Sequence, residues 1–133
     1  MPDVFRFPAR QGQPSTFVAR RRLTTGELIT KAALSAITYK IYDLRVSPAA
    51  SIATGTIDIA TCVFDSLQAD PIVWPIDQTG YNFLWVSPQA SFPNAVNGQA
   101  YLVEIVFTEA TGGLKTSLSF LSSEVTPVQS APL

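Results

Sequence analysis

The residues of this chain that could do chemistry are few, and the most telling fact about them is an absence: there is no histidine. That removes the commonest general base, the commonest metal ligand and every triad that depends on imidazole. Cys62 is the single cysteine and sits in the apolar-flanked run ATCVF. It allows no intrachain disulfide and no cysteine zinc cluster, and the reading is a small core residue, not a thiolate nucleophile. Asp58, Asp65, Asp70 and Asp77 are spaced by seven, five and seven residues, which matches no calcium loop and singles out no glycosidase pair. Each stands where a strand end or turn wants a polar residue. The seven glycines form no phosphate-binding loop. The expectation is therefore a non-enzymatic protein with no catalytic residue, no metal and no cofactor.

The one dense charge cluster is Arg20, Arg21 and Arg22. On a strand Arg20 and Arg22 would share a side and Arg21 would point the other way. Without a wider basic patch or interleaved aromatics the triplet does not predict nucleic-acid binding. It reads first as an edge strand guarded by charge, second as an intersubunit contact. Trp74, Tyr81 and Trp85, with Tyr42, could be imagined as a carbohydrate platform, although in a small β-protein such rings belong more often to the core or to an interface. An alternative role as a carbohydrate- or surface-binding module rests on Trp74, Tyr81 and Trp85.

Those side chains must be positioned by β-structure. The chain has 133 residues, 47% hydrophobic and 14% charged, with nine basic and ten acidic residues for a net charge of −1. This length suits one domain with a real core, and the charged share is well below the roughly one-quarter of an ordinary soluble domain. No global field points to nucleic acid or an anionic membrane. Neither a signal peptide nor a membrane span is expected.

Residues 1–14 carry Pro2, Pro8, Pro14 and Gly12 among Phe5, Arg6, Phe7 and Arg10. Prolines remove backbone donors and favour extended neighbours, so this segment is predicted as an extended arm whose apolar and basic side chains order against a neighbouring subunit. Residues 15–125 are the predicted domain. Strands are expected at Thr16 to Leu23, Ser35 to Leu44, Ser51 to Ala60, Cys62 to Leu67, from Tyr81, and at Gln99 to Glu109 and Leu114 to Glu124, with short pieces at Glu27 to Ile29 and between Pro71 and Pro75. The last two long strands should form a hairpin across Ala110-Thr111-Gly112-Gly113, whose glycines can take positive φ. Residues 126–133 lose periodicity and are predicted as a tail. About seven short strands at near-regular spacing argue for an antiparallel two-layer sandwich, with a small barrel as the other possibility.

From Phe17 to Val125 the chain resembles small Ig-like β-sandwich proteins of tailed-phage and prophage structural gene clusters. The resemblance is carried by GELIT after the first strand, ITYKIYDL, VFDSLQ, DQTGYNF, the stretch from Phe92-Pro93 to NGQAYLVEIVFT, and the closing hairpin. It implies an Ig-like sandwich and a virion component, either a capsid decoration protein or a tail or baseplate accessory. Its partners would be other capsid or tail subunits in a homo-oligomer or symmetric array, and it would be assembled in the host cytoplasm. Phe5, Arg6, Phe7, Arg10 and the arginines at 20–22 are the assembly-contact candidates.

Overall fold

The computed structural model describes residues 3–10, 15–44, 50–70, 78–87 and 101–126, and the side chains of 3–10, 50 and 122–126 lie outside that description. Eight strands and one helical turn follow in order: β1 (Asp3–Arg10), β2 (Thr16–Ala19), β3 (Leu34–Asp43), β4 (Ala50–Thr56), α1 (Ile59–Cys62), β5 (Val63–Gln68), β6 (Tyr81–Val86), β7 (Tyr101–Glu109) and β8 (Lys115–Thr126). They form a five-stranded sheet in the order β1-β8-β7-β3-β4 and a three-stranded sheet in the order β2-β6-β5. All pairings are antiparallel except β1 with β8, which is parallel. Setting β1 aside, these are the neighbour relations of an immunoglobulin-type sandwich, with strands B, E and D facing G, F, C and C′. The expected Ig-like all-β sandwich is what the chain forms.

Alternation builds the core. Tyr101, Val103, Ile105 and Phe107 of β7 are buried, as are Ile37, Tyr39 and Ile41 of β3 and Leu118 and Phe120 of β8. The opposite layer contributes Phe17, Ala19, Val63, Phe83 and Trp85. Aromatic rings join the layers: Phe17 lies 4.7 Å from Phe120, Trp85 4.7 Å from Tyr39, and Phe83 5.1 Å from Phe107, edge to face. Such pairs add to simple area burial.

The β7–β8 hairpin turns through Gly112 and Gly113, at φ +79° and +65°, the conformation for which glycine was expected there. Three local expectations shift. The first strand ends at Ala19, four residues early, and the residues of the expected Glu27 to Ile29 strand contribute a single bridge between Arg22 and Leu28. The strand predicted to reach Ala60 ends at Thr56, because Asp58 accepts a hydrogen bond from Ala60 N (3.1 Å) and starts α1. Asp3–Arg10, expected as an arm, is extended and is a full edge strand of this chain's own sheet. The run between Pro71 and Pro75 and the tail from residue 127 lie outside the described residues.

Candidate functional site

The arginine triplet sits where β2 stops pairing as an ordinary strand. The last β2–β6 partners are Ala19 and Phe83. One residue along β6, Asn82 takes over with its side chain: Arg21 N donates to Asn82 Oδ1 (2.8 Å) and Asn82 Nδ2 donates to Arg21 O (2.9 Å). A primary amide carries the same donor and acceptor as a peptide, so Asn82 continues the ladder that the β2 backbone leaves. It is 1% exposed.

Each arginine head group then finds a carbonyl. Arg20 Nη1 donates to Gly80 O (3.2 Å), Arg21 Nη2 to Ser117 O (3.3 Å) and Arg22 Nη1 to Gly26 O (2.8 Å). The Arg21 guanidinium also lies 5.2 Å from the centre of the Phe107 ring. Arg22 is exposed, and Arg20 and Arg21 are half-buried, with Arg21 reaching across to the five-stranded sheet. The loop that follows is fixed from the same side. Thr24 donates through its N and its Oγ1 to the buried carboxylate of Glu109, at 2.9 and 3.1 Å. Arg21 and Thr24 thus tie this end of the three-stranded layer to β8 and β7 of the other sheet, while Arg20 and Arg22 hold carbonyls on their own side.

Of the aromatic candidates, Tyr81 and Trp85 are both 7% exposed. Trp85 stacks on Phe17 at 5.4 Å, and Phe64 meets Tyr81 edge-on at 5.8 Å. Their faces are occupied within the sandwich, and Trp74 lies outside the described residues. Phe5, Arg6, Phe7 and Arg10 stand on β1, where their backbones oppose Phe120, Leu121, Ser122 and Thr126.

Of the acids, Asp58 stands at a turn as expected, whereas Asp65 lies inside β5. Asp58 caps α1, and Asp65 accepts from Lys31 N (2.7 Å). Among the described residues no three acids or thiols converge as a metal site would require, and no helix is long and apolar enough to cross a membrane. Cys62 is half-buried against the core. Burial pushes its thiol above the ordinary value, the Asp58 carboxylate adds to the rise, and the Thr61 hydroxyl contact opposes it. An elevated thiol pKa means little thiolate and weak nucleophilicity at neutral pH.

A further surface of interest is the outward face of the five-stranded sheet. With Tyr101, Val103, Ile105 and Phe107 turned inward, Leu102, Glu104, Val106 and Thr108 line the other side of β7, all half-buried. The register extends this into rows across the sheet: Tyr42, Leu102 and Leu121; Thr54, Lys40, Glu104 and Ser119; Thr56, Thr38, Val106 and Ser117. Lys40 and Glu104 are direct cross-strand neighbours of opposite sign, Lys115 stands opposite Thr108, and the register sets Arg6 of β1 beside Leu121. A partly apolar surface of this kind suits packing against another protein. Alternation along QAYLVEIVFT made the face legible in sequence, while its rows depended on strand order. Asn82 was missed, and its signal was one amide inside the apolar strand YNFLWV. Compared with known proteins, the chain matches no family model, no curated sequence and no solved structure.

Proposed function

We propose that this chain is a non-enzymatic structural protein of a phage-like particle, either a capsid decoration and stabilising protein or a tail-associated accessory, packing against other virion subunits in a symmetric array. The observation that carries the reading is the outward face of the five-stranded sheet, where Tyr42, Leu102, Val106 and Leu121 share a surface on which Lys40 stands opposite Glu104 and Lys115 lies at one end. The resemblance of Phe17 to Val125 to phage sandwich proteins supplies the setting. The residues that looked most chemical support the same role: the arginines hold carbonyls, Asp58 and Asp65 hold backbone N–H groups, and the Cys62 thiol is held protonated.

The test is mass spectrometry of purified particles, with copy number, from wild-type and Val106→Glu genes. Val106 is half-buried on the outward side of β7, outside the core, so the variant should fold with an unchanged circular dichroism spectrum. It should also be depleted from particles at least tenfold. Hundreds of wild-type copies place the protein on the capsid or tail tube and a handful on the baseplate. Particles whose composition and surface density are unaltered when the gene is deleted would sink the reading.

A further inference from the structure

Strand β1 is unlike every other strand: it is N-terminal, it pairs in parallel, and among the described elements it contacts β8 alone. Its neighbour in sequence, β2, belongs to the other sheet. Only residues 11–14, Gln-Gly-Gln-Pro, join them. From Arg10 to Ser15 a chain can reach at most roughly 18 Å, while the layers of a sandwich stand about 10 Å apart. Four residues are a short connector between strands of two different sheets.

The β1–β8 register is well defined, running from Asp3 opposite Leu118 to Arg10 opposite Thr126. It breaks once, between Phe7 and Ala9, where Pro8 has no N–H to give. The bonds are made by backbone, so the edge of β8 accepts this segment equally well from its own chain or from another copy. Exchange of an identical element conserves every contact and leaves only the connector to decide between closed and open forms, and short connectors favour the open one.

We infer that β1 is an exchangeable strand: the β8 edge of one copy binds residues 3–10 of a second copy in the same parallel register, linking copies head to tail. The donor's own β8 edge is then open to a third copy, so the linkage propagates or closes into a ring according to the rotation per step. The exchange names how copies would be joined in the array proposed above and rests on that reading for its setting. Cross-linking of the purified protein reads it separately.

The test places cysteines at Val4 and Ser119, which are register partners, in a Cys62→Ser background of the full chain. After oxidation across a concentration series, non-reducing gels distinguish intrachain from interchain bonds. Interchain ladders are expected, with the ratio of interchain to intrachain product rising about tenfold for each tenfold increase in concentration while the closed form dominates. Lengthening residues 11–14 with a Gly-Ser insert should return the product to intrachain monomer. Intrachain bonds alone at every concentration would overturn the inference, and so would persistence of both thiols, which would mean that β1 does not occupy β8 in either form. Ladders without particle incorporation would retain the exchange and remove the virion setting.

Discussion

The side-chain amide of Asn82 meets the backbone of Arg21 twice, accepting from its N–H at 2.8 Å and donating to its carbonyl at 2.9 Å. That carbonyl also accepts from Ile29 N at 3.1 Å. Asn82 stands on the central strand of its sheet and is buried, so the pair holds the end of β2 against β6 where ordinary strand pairing has ceased.

Replacing Asn82 by Ala leaves the Arg21 N–H without its acceptor in a dry site. The expected loss is about 2–3 kcal/mol of unfolding free energy. Urea denaturation should show a lower midpoint with an unchanged slope. Asn82→Asp, which keeps the acceptor and loses the donor, should fall between Ala and wild type. Equal stability of all three would refute the ladder role.

The three arginines should rank by how much protein surrounds them. Arg21→Ala removes a carbonyl bond and the contact with the Phe107 ring and should cost about 1–2 kcal/mol. Arg20→Ala should cost about 0.5–1 kcal/mol, and Arg22→Ala, at an exposed site, less than about 0.5 kcal/mol. Chemical denaturation of the single variants checks the order, and a dominant effect at Arg22 would contradict it.

Gly55 lies opposite Tyr39 in the β3–β4 register, and a methyl group there would come within 2.9 Å of the Tyr39 ring. Gly55→Ala should therefore destabilise by about 1–3 kcal/mol through overpacking. Tyr39→Leu will itself cost core packing. Adding Gly55→Ala to that background should then be nearly neutral, giving a coupling of roughly 1 kcal/mol or more in the double-mutant cycle.

The Cys62 thiol has a direction of titration that can be measured. Burial raises its folded pKa, so the folded state keeps its proton at a pH where the unfolded chain has lost it. Stability from this group is fully present below the unfolded value, near 8.5, and is lost as pH rises from there until the folded thiol also ionises. Alkylation at pH 8 should be slower in the native protein than in urea. Cys62→Ser should flatten the decline in stability above pH 8.5. A native rate at or above the unfolded rate would contradict the burial effect.

Charge, alternation and turn chemistry were legible in the sequence because they are local. The strand centred on ITYKIYDL, the shared face of Tyr101, Val103, Ile105 and Phe107, the glycine turn at 112–113 and the polar turn role of Asp58 each depend on a few neighbours along the chain. So does the absence of histidine, which narrows the chemistry before any fold is known. Only the tertiary structure decided where unlike segments meet. Prolines marked residues 1–14 as extended, but whether a strand edge 115 residues away in the register pair Asp3 and Leu118 would accept them is a question of topology. The arginine triplet read as part of a guarded edge strand, but β2 stops at Ala19 before the triplet begins, and the partners Gly80, Ser117 and Asn82 lie 60 or more residues distant. Hydrogen bonds of that separation leave no period in a sequence. They exist because the two sheets close over one aromatic core and bring the ends of β2, β6, β7 and β8 to the same rim.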